Sequence, residues 1–185
     1  MPVANDKRER LVLAAKELMH RRGFLRTTLG DIARHAGVPP GNVYYYFKTK
    51  EDVARAVIHE HDTWFDRQFT RWEAEMDPRG RLLAYAGHMA ARCEDLAENG
   101  CPIGSLCAEL NKDDTPLNDA LDRLLKRQRD WVATQFRALQ APNPDALGLE
   151  LIARLQGAVL VAHALGDPDV LHRLTAGIKD WVREF

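Results

Sequence analysis

Apolar positions recur at helical spacing along nearly the whole chain, and no alternating strand pattern extends beyond a few residues. Near the amino end, Leu11, Ala15, Leu18 and Met19 form the i, i+4, i+7, i+8 stripe of an amphipathic helix. Clusters of glycine, proline and asparagine separate the later segments. The pattern predicts an all-α chain of about nine helices. They are expected at about residues 5–22, 28–36, 40–46, 49–72, 80–97, 102–110, 115–141, 144–165 and 168–185.

The second and third helices have clear start and stop signals. Thr28, followed three residues later by Asp31, predicts a helix N-cap with an acidic partner. Gly37 suits the left-handed conformation of a tight turn, and the prolines at 39 and 40 allow a new helix to begin, because proline is tolerated in a first turn. Two short helices joined by such a turn form a helix-turn-helix.

Composition indicates a soluble globular protein, since 45% of the 185 residues are apolar and can fill a core. The charged amino end lacks the apolar stretch of a secretory signal. The longest apolar run, near residues 158–165, is interrupted by His163 and is too short to span a bilayer. We therefore expect a cytoplasmic protein with no membrane partner, whose three cysteines are reduced thiols rather than a disulfide framework.

Charge is distributed unevenly along the chain. Residues 1–50 carry a net charge of +6 and residues 51–185 carry −7, although the whole chain is at −1. A cationic segment is attracted to nucleic acid phosphates, whereas an acidic one is repelled. The amino end is therefore the predicted nucleic-acid end.

A helix-turn-helix places its second helix in the major groove of DNA. Val43 and Phe47, four residues apart, are expected to face inward. The candidate DNA-binding residues are Thr27, Thr28, Pro40, Gly41, Asn42, Tyr44, Tyr45, Tyr46, Lys48 and Lys50. Tyr45 is the foremost phosphate anchor, because its hydroxyl can donate to a phosphate oxygen. The alternative for Tyr44 or Tyr46 is a place in the core.

The other candidates have distinct chemistry. Lys50 and the free backbone amides of the following helix can bind one phosphate together. Gly41 lets the backbone approach base edges, and Thr28 either caps its helix alone or also reaches the DNA backbone. Near the amino end, three cations are further candidates: Lys7, Arg8 and Arg10. They either reach the adjacent minor groove or phosphates of the DNA, or belong to a mobile charged tail.

Residues 8–60 resemble the N-terminal domain of the TetR (tetracycline-repressor-like) family of transcriptional regulators. The resemblance is carried by Gly23-Phe24, Thr27-Thr28, Ile32-Ala33, Ala36-Gly37-Val38, Tyr44-Tyr45-x-Phe47 and Lys50-Glu51. The chain departs from the family where Pro39 and Pro40 replace serine and a polar residue, and where Tyr46 replaces a frequent histidine. A base contact from a long cation at position 40 is therefore absent, so sequence reading is expected to depend on Gly41, Asn42, Tyr44 and DNA shape.

The resemblance implies a DNA-binding domain at residues 1–50 and a ligand-binding and dimerisation domain at 51–185. It further implies a homodimer, formed through the last two helices, that represses transcription at a pseudo-palindromic double-stranded operator until a small-molecule effector releases it. The sequence supports dimerisation through wide apolar faces on both helices, with an ordinary intramolecular core as the alternative. Those faces contain Leu151, Ile152, Leu155, Ala158, Val159 and Ala162, then Val170, Leu171, Leu174, Ile178, Trp181 and Phe185.

An effector cavity is expected among the middle helices, with no cofactor. Its candidate lining is Phe65, Phe69, Tyr85, His88, Met89, Arg92, Trp131, Gln135, Gln156 and His163. Aromatic residues at helical spacing are more often plain core. His88 and Gln156 are of most interest, because polar groups on apolar helices need partners and a ligand can provide them.

The sequence leaves two other hypotheses, one of them from a different class of function. Cys101 precedes Pro102 at a helix start, where the helix dipole stabilises a thiolate, so one alternative is a repressor that senses oxidants or electrophiles through Cys101. A small enzyme or metal protein using His59, His61 or His88 is the other. No metal site is predicted, because residues two apart on a helix face different sides, and no phosphate loop or nucleophile elbow is present. An enzyme is not expected.

Overall fold

The computed structural model describes residues 3–110 and 117–185, and these residues are almost entirely helical. The helices are α1 (Val3–Arg22), α2 (Leu29–His35), α3 (Pro40–Tyr46), α4 (Lys50–Glu75), α5 (Pro78–Ala90), α6 (Cys93–Asn99), α7 (Pro102–Leu110), α8 (Asn118–Ala138), α9 (Pro144–Leu165) and α10 (Pro168–Arg183). The predicted all-α class is confirmed, and the expected number of helices differs by one. The helix start expected at Thr115-Pro116 lies outside the described residues.

The additional helix comes from a break in the segment predicted as one helix over 80–97. Asp77 caps α5 by accepting a hydrogen bond from the Gly80 N–H at 2.7 Å, and α5 ends at Ala90. Arg92 then takes a non-helical backbone conformation, with φ −127° and ψ 26°, before α6 begins. The break redirects the chain so that Leu96 and Ala97 on α6 are buried, which hydrophobic periodicity alone did not reveal.

The chain divides into two compact units. One contains the described residues up to Thr63 together with those in 102–122. Its core includes Leu11 from α1, Ile32 from α2 and Val43 from α3, each at most 1% exposed. The turn between α2 and α3 requires Gly37, whose φ is +61°. By packing, α7 belongs to this unit, although it lies beyond residue 50, where the sequence analysis placed the boundary between the functional domains.

The other unit contains residues 64–101 and 123–185, in which α10 packs on α9, α5 and α6. Here the expected use of the α9 apolar face is corrected. Leu151, Leu155, Ala158, Val159 and Ala162 are all buried within the chain, so they form intramolecular core. The large apolar side chains that remain exposed on α9 and α10 are Leu149, Leu160, Val161, Leu165 and Leu174.

Among the described residues, α9 is the one helix long and apolar enough to cross a membrane by length and composition. About a third of its apolar window is buried inside the structure, and core helices of soluble proteins meet the same criterion. This feature is therefore weak support for a membrane location.

Candidate nucleic-acid interface and effector site

The structure places α3 on the surface of the N-terminal unit with one side held by the core. Val43 and Phe47 are 1% and 4% exposed, which confirms that this pair, four residues apart, faces inward. The Phe47 N–H donates to the Val43 carbonyl and ends the helix. Inward anchoring of these two side chains fixes which side of α3 is available to a partner.

The other side of α3 carries the candidate DNA-binding residues. Tyr45 is 79% exposed and Tyr44 is 55% exposed, whereas Tyr46 is partly buried and packs edge-to-face on Tyr45 with ring centroids 5.0 Å apart. Pro40, Gly41 and Asn42 are exposed in the first turn. A Cβ added at Gly41 would meet nothing within 4 Å, so the packing of the chain itself does not require glycine there.

Thr27 is a correction to the expected set of DNA-contacting residues. Its side chain is 1% exposed, and its hydroxyl donates to the Gly23 carbonyl at 2.7 Å. This hydroxyl closes the turn between α1 and α2 and is not presented to solvent.

Thr28 is exposed and forms a capping box with Asp31. The Asp31 N–H donates to the Thr28 hydroxyl oxygen at 3.1 Å, and the hydroxyl donates to the Asp31 carboxylate at 2.6 Å. The hydrogen bonds that the Thr28 hydroxyl and backbone N–H donate to the Asp31 carboxylate, supported by Arg34, lower the pKa of Asp31. The predicted N-cap is therefore present.

Both lysines after α3 are held by backbone carbonyls. The Lys48 ammonium donates to the Tyr44 carbonyl at 2.8 Å, near the carboxyl end of α3. The Lys50 ammonium donates to the carbonyls of Phe24 and Leu25 at 2.9 and 3.3 Å, and it lies 4.2 Å from the centroid of the Phe24 ring. A phosphate contact from Lys50 therefore has to compete with these partners.

Arg8 and Arg10 have structural roles that sequence reasoning missed. The Arg10 guanidinium donates to the carbonyls of Ala36 and Gly37, at the end of α2. The Arg8 guanidinium lies 5.2 Å from the centroid of the Phe47 ring. These two arginines thus brace the helix-turn-helix from α1, since cations stabilise helix carboxyl ends and aromatic faces.

In the C-terminal unit, five of the predicted effector residues come together in one aromatic cluster. Phe69 stacks on Trp131 with ring centroids 4.1 Å apart, and the rings of Phe65 and His88 lie 5.7 Å apart. Tyr85 joins both groups. Trp64 and Trp72 complete the cluster and were not predicted, although residues 65, 69 and 72 follow one helical stripe that could have identified Trp72.

Polar groups line this aromatic cluster. The Tyr85 hydroxyl donates to Gln128 Oε1 at 2.9 Å, and burial raises the pKa of Tyr85. The Arg81 guanidinium donates to Gln135 Oε1 at 3.1 Å and to the Glu73 carbonyl at 2.8 Å. Gln128 and Arg81 therefore join the candidate site, and sequence reasoning did not find them.

His88 is a second titratable group of the cluster. Burial of its ring lowers its pKa to about 4, although a hydrogen bond with the Tyr85 carbonyl opposes the shift, and the Arg92 charge adds to the lowering. Consequently the His88 imidazole is neutral at pH 7, and since its Nδ1–H donates to the Tyr85 carbonyl, its Nε2 is available as a hydrogen-bond acceptor.

The remaining predicted effector residues are spread over the unit. Met89 is 7% exposed and Gln156 is partly buried on α9. Arg92 and His163 are exposed, which corrects their expected place in a cavity lining. Arg92 pairs with Asp95 on α6, and His163 Nδ1 lies 3.0 Å from the Ala97 carbonyl oxygen.

None of the three cysteines, all within the described residues, is in a disulfide; Cys101 is buried, and Cys93 and Cys107 are partly exposed. Within residues 3–110 and 117–185, no group of three or more histidine, cysteine, aspartate or glutamate side chains is arranged to hold a metal ion.

Comparison with known families agrees with the geometry of both units. Residues 11–57 match the family model described as bacterial regulatory proteins, tetR family. Residues 78–176 match the LmrA/YxaF-like transcriptional regulator C-terminal domain. The two matches cover the helix-turn-helix and most of the helices that follow it.

Similarity to individual proteins extends over nearly the whole chain. The transcriptional regulator AcuR of Cereibacter sphaeroides is 29% identical over 187 residues, covering 94% of this chain and 84% of AcuR. The regulator LmrA of Bacillus subtilis is 27% identical over 175 residues, covering 92% and 88% of the two chains.

A solved structure shows the same similarity. The crystal structure of the regulatory protein TetR from Rhodobacter sphaeroides superposes with a TM-score of 0.82 at 26% identity, covering 93% of this chain and 96% of the other. With a helix-turn-helix that presents α3, and family matches over both units, the chain belongs to the TetR family of transcriptional regulators.

Proposed function

We propose that this protein is a homodimeric repressor that binds a pseudo-palindromic operator in the cytoplasm and is released by a small-molecule effector. The observation that carries the proposal is the exposed face of α3. Tyr44 and Tyr45 are too exposed to contribute much to the core, yet they stand on a helix anchored by Val43 and Phe47. Large aromatic side chains presented to water on a short, braced helix favour a role in contacting a partner, and in this family the partner is DNA.

On α3 we assign different tasks to different residues. Tyr45 donates to a phosphate oxygen, while Asn42 and Tyr44 contact bases. Gly41 has no side chain, so the protein backbone of α3 can approach the base edges closely. Open space around Gly41 supports this assignment, because no neighbour in the chain would obstruct a side chain there. Thr28 and Lys48 add contacts to the DNA backbone. Lys50 acts mainly by holding the protein turn at Phe24 and Leu25.

Dimerisation is supported by exposed apolar side chains on the last two helices. Leu160 and Leu165 of α9 are 68% and 66% exposed, and Leu174 of α10 is 42% exposed. At Gly157 on α9, an added Cβ would meet nothing within 4 Å. Burying this apolar surface against a second copy would remove it from water and give the symmetric dimer that two operator half-sites require.

The aromatic cluster is the proposed effector site. Its rings offer apolar surface, and neutral His88 and Gln135 offer hydrogen bonds that fix the orientation of a ligand. Release of DNA requires the effector to bind the DNA-incompetent state more tightly, since equal affinity for both states shifts nothing. Helix α4 continues from Lys50 to Glu75, and its later part carries Phe65 and Phe69, so a ligand at these rings acts on the helix that follows the helix-turn-helix.

The alternative, in which Cys101 is the sensing group, is less well supported. Its side chain is 9% exposed, which hinders access by an oxidant or electrophile. No observation favours it over the effector mechanism.

The test is a binding selection with genomic DNA fragments from the source organism, followed by mobility shifts on the recovered sites. We expect inverted half-sites about one turn of the DNA duplex apart, with two protein chains, or a multiple of two, on each short site. Binding should weaken steeply as the salt concentration rises. Compounds that stabilise the protein thermally are then added, and at least one should release the DNA. Failure of every oligonucleotide to bind at low ionic strength would overturn the proposal.

A further inference from the structure

Cys93 and His172 form a close pair on the surface of the C-terminal unit. The Cys93 sulfur lies 2.8 Å from His172 Nε2, although the two residues are 79 positions apart in the sequence. Cys93 is the first residue of α6, and His172 lies in the second turn of α10. Cys93 is partly exposed and His172 is exposed, so dissolved molecules can reach the pair.

On α10, His172 points in a different direction from Leu174, which belongs to the proposed dimer surface. At about 100° per residue, His172 and Leu174 point about 160° away from each other around the helix. His172 contacts Cys93 on α6, whereas Leu174 is one of the exposed apolar side chains of α9 and α10 that form the proposed dimer surface. Neither Cys93 nor His172 is among the residues assigned above to DNA, effector or dimer contacts.

We propose that Cys93 and His172 are a nucleophilic thiol–imidazole pair, and that Cys93 is the site at which this protein is alkylated by α,β-unsaturated carbonyl compounds. A thiolate, not a thiol, is the reactive nucleophile, and an imidazole at hydrogen-bond distance can take the thiol proton. Thiolate sulfur is soft and polarisable, which suits attack on the β-carbon of a conjugated alkene.

The reaction balances without any further reactant. The Cys93 thiol gives its proton to His172 Nε2, and the sulfur lone pair forms a bond to the β-carbon of the alkene. The π electrons of the alkene move toward the carbonyl, and the resulting enolate carbon receives the proton from the imidazolium. Cys93 ends as a thioether and His172 returns to its neutral state.

The adduct has a structural consequence within the unit. A thioether sulfur has no proton to donate, and the added group occupies space next to His172, so the hydrogen bond between Cys93 on α6 and His172 on α10 is lost. Helix α6 is only seven residues long and has no side-chain cap hydrogen bond at its start, so it is otherwise held by its packing on α9 and α10 and by the Arg92–Asp95 pair.

The other two thiols provide comparisons within the same molecule. Cys101 is buried, and Cys107 is partly exposed like Cys93. If exposure alone governed reactivity, Cys93 and Cys107 would react at similar rates. The proposal instead expects Cys93 to react much faster than both.

The experiment treats the full-length protein at pH 7 with limiting N-ethylmaleimide, a cyclic α,β-unsaturated dicarbonyl, and follows each cysteine by peptide mass spectrometry. We expect Cys93 to be modified at least tenfold faster than Cys107. His172→Gln, which keeps a hydrogen-bonding side chain but removes the base, should slow modification of Cys93 about tenfold and leave Cys107 unchanged. Arg173→Gln, an exposed neighbour on the same helix, should change neither rate.

Two results would overturn the proposal. One is equal modification rates of Cys93 and Cys107 in the unaltered protein, which is decisive even if the His172 variant fails to fold. The other is a folded His172→Gln protein whose Cys93 rate is the same as that of the unaltered chain. DNA binding has no part in either readout, so these outcomes are independent of the proposed repressor function.

Discussion

The Glu109 carboxylate accepts a hydrogen bond from the backbone N–H of Leu25 at 2.8 Å. It fastens α7 to the turn between α1 and α2, within the N-terminal unit. Gly23 stands at the same place with φ +83°, and an added Cβ would lie 2.5 Å from a Glu109 carboxylate oxygen. Because residue 23 has no side chain, the Glu109 carboxylate fits against the turn and can bind the Leu25 N–H.

Replacing Glu109 by alanine should lower the free energy of unfolding by about 1 kcal/mol, because the Leu25 N–H loses its acceptor in a partly exposed setting. Glu109→Gln keeps an acceptor oxygen and should cost less. Urea denaturation measures both changes. Glu98→Ala, at an exposed glutamate on α6, is the control and should stay within about 0.5 kcal/mol of the parent. A stability of Glu109→Ala equal to that of the control would show that the contact is dispensable.

Tyr45→Ala should weaken operator binding about tenfold, equivalent to about 1.4 kcal/mol, through loss of a phosphate contact. Because Tyr45 is 79% exposed, the midpoint of urea unfolding should hardly change. Fluorescence anisotropy with a labelled operator provides the affinity. Leu13→Ala, at an exposed residue on α1, is the matched control, and undiminished binding by Tyr45→Ala would remove this residue from the interface.

Leu160→Glu should convert the proposed dimer to a folded monomer, because a charge would be buried in the proposed interface without a partner. Sedimentation equilibrium should show the change in mass, and circular dichroism should show that helix content is retained. Leu13→Glu places the same charge at a leucine of similar exposure on α1 and should leave the assembly state unchanged. If the Leu160 variant stays dimeric, the interface lies elsewhere.

His88 should make stability depend on pH between its unfolded and folded pKa values. Burial lowers the folded pKa from 6.5 to about 4, so the unfolded chain binds a proton more readily across this window. The His88 contribution to stability is therefore fully present above pH 6.5 and is lost as the pH falls toward 4. Comparing urea unfolding at pH 7.5 and pH 5 should show a smaller loss for His88→Gln than for the parent.

The matched control for this pH dependence is His59→Gln, at an exposed histidine on α4. It should retain the pH dependence of the parent chain. An identical loss of stability in the His88→Gln and His59→Gln variants would mean that the His88 ring is not protected from protonation in the folded state.

Much of the helix-turn-helix was predictable because its determinants are local. The spacing of Val43 and Phe47 identified the inward side of α3, and Thr28 with Asp31 identified the start of α2. Such features depend on residues three or four positions apart, which are neighbours on any helix. Phe65 and Phe69 of α4 were likewise identified by their helical spacing, whereas Trp64 and Trp72 were not.

The sequence by itself determined the helical class, the helix-turn-helix and the inward side of α3, since helix periodicity and capping act between near neighbours. Only the tertiary structure decided that Glu109 binds the Leu25 amide, that Cys93 meets His172, and that Lys50 is held by Phe24 and Leu25. It also decided which leucines of α9 are buried and which are exposed. A partner many residues away is chosen by how whole helices pack, and no local pattern in the chain specifies that choice.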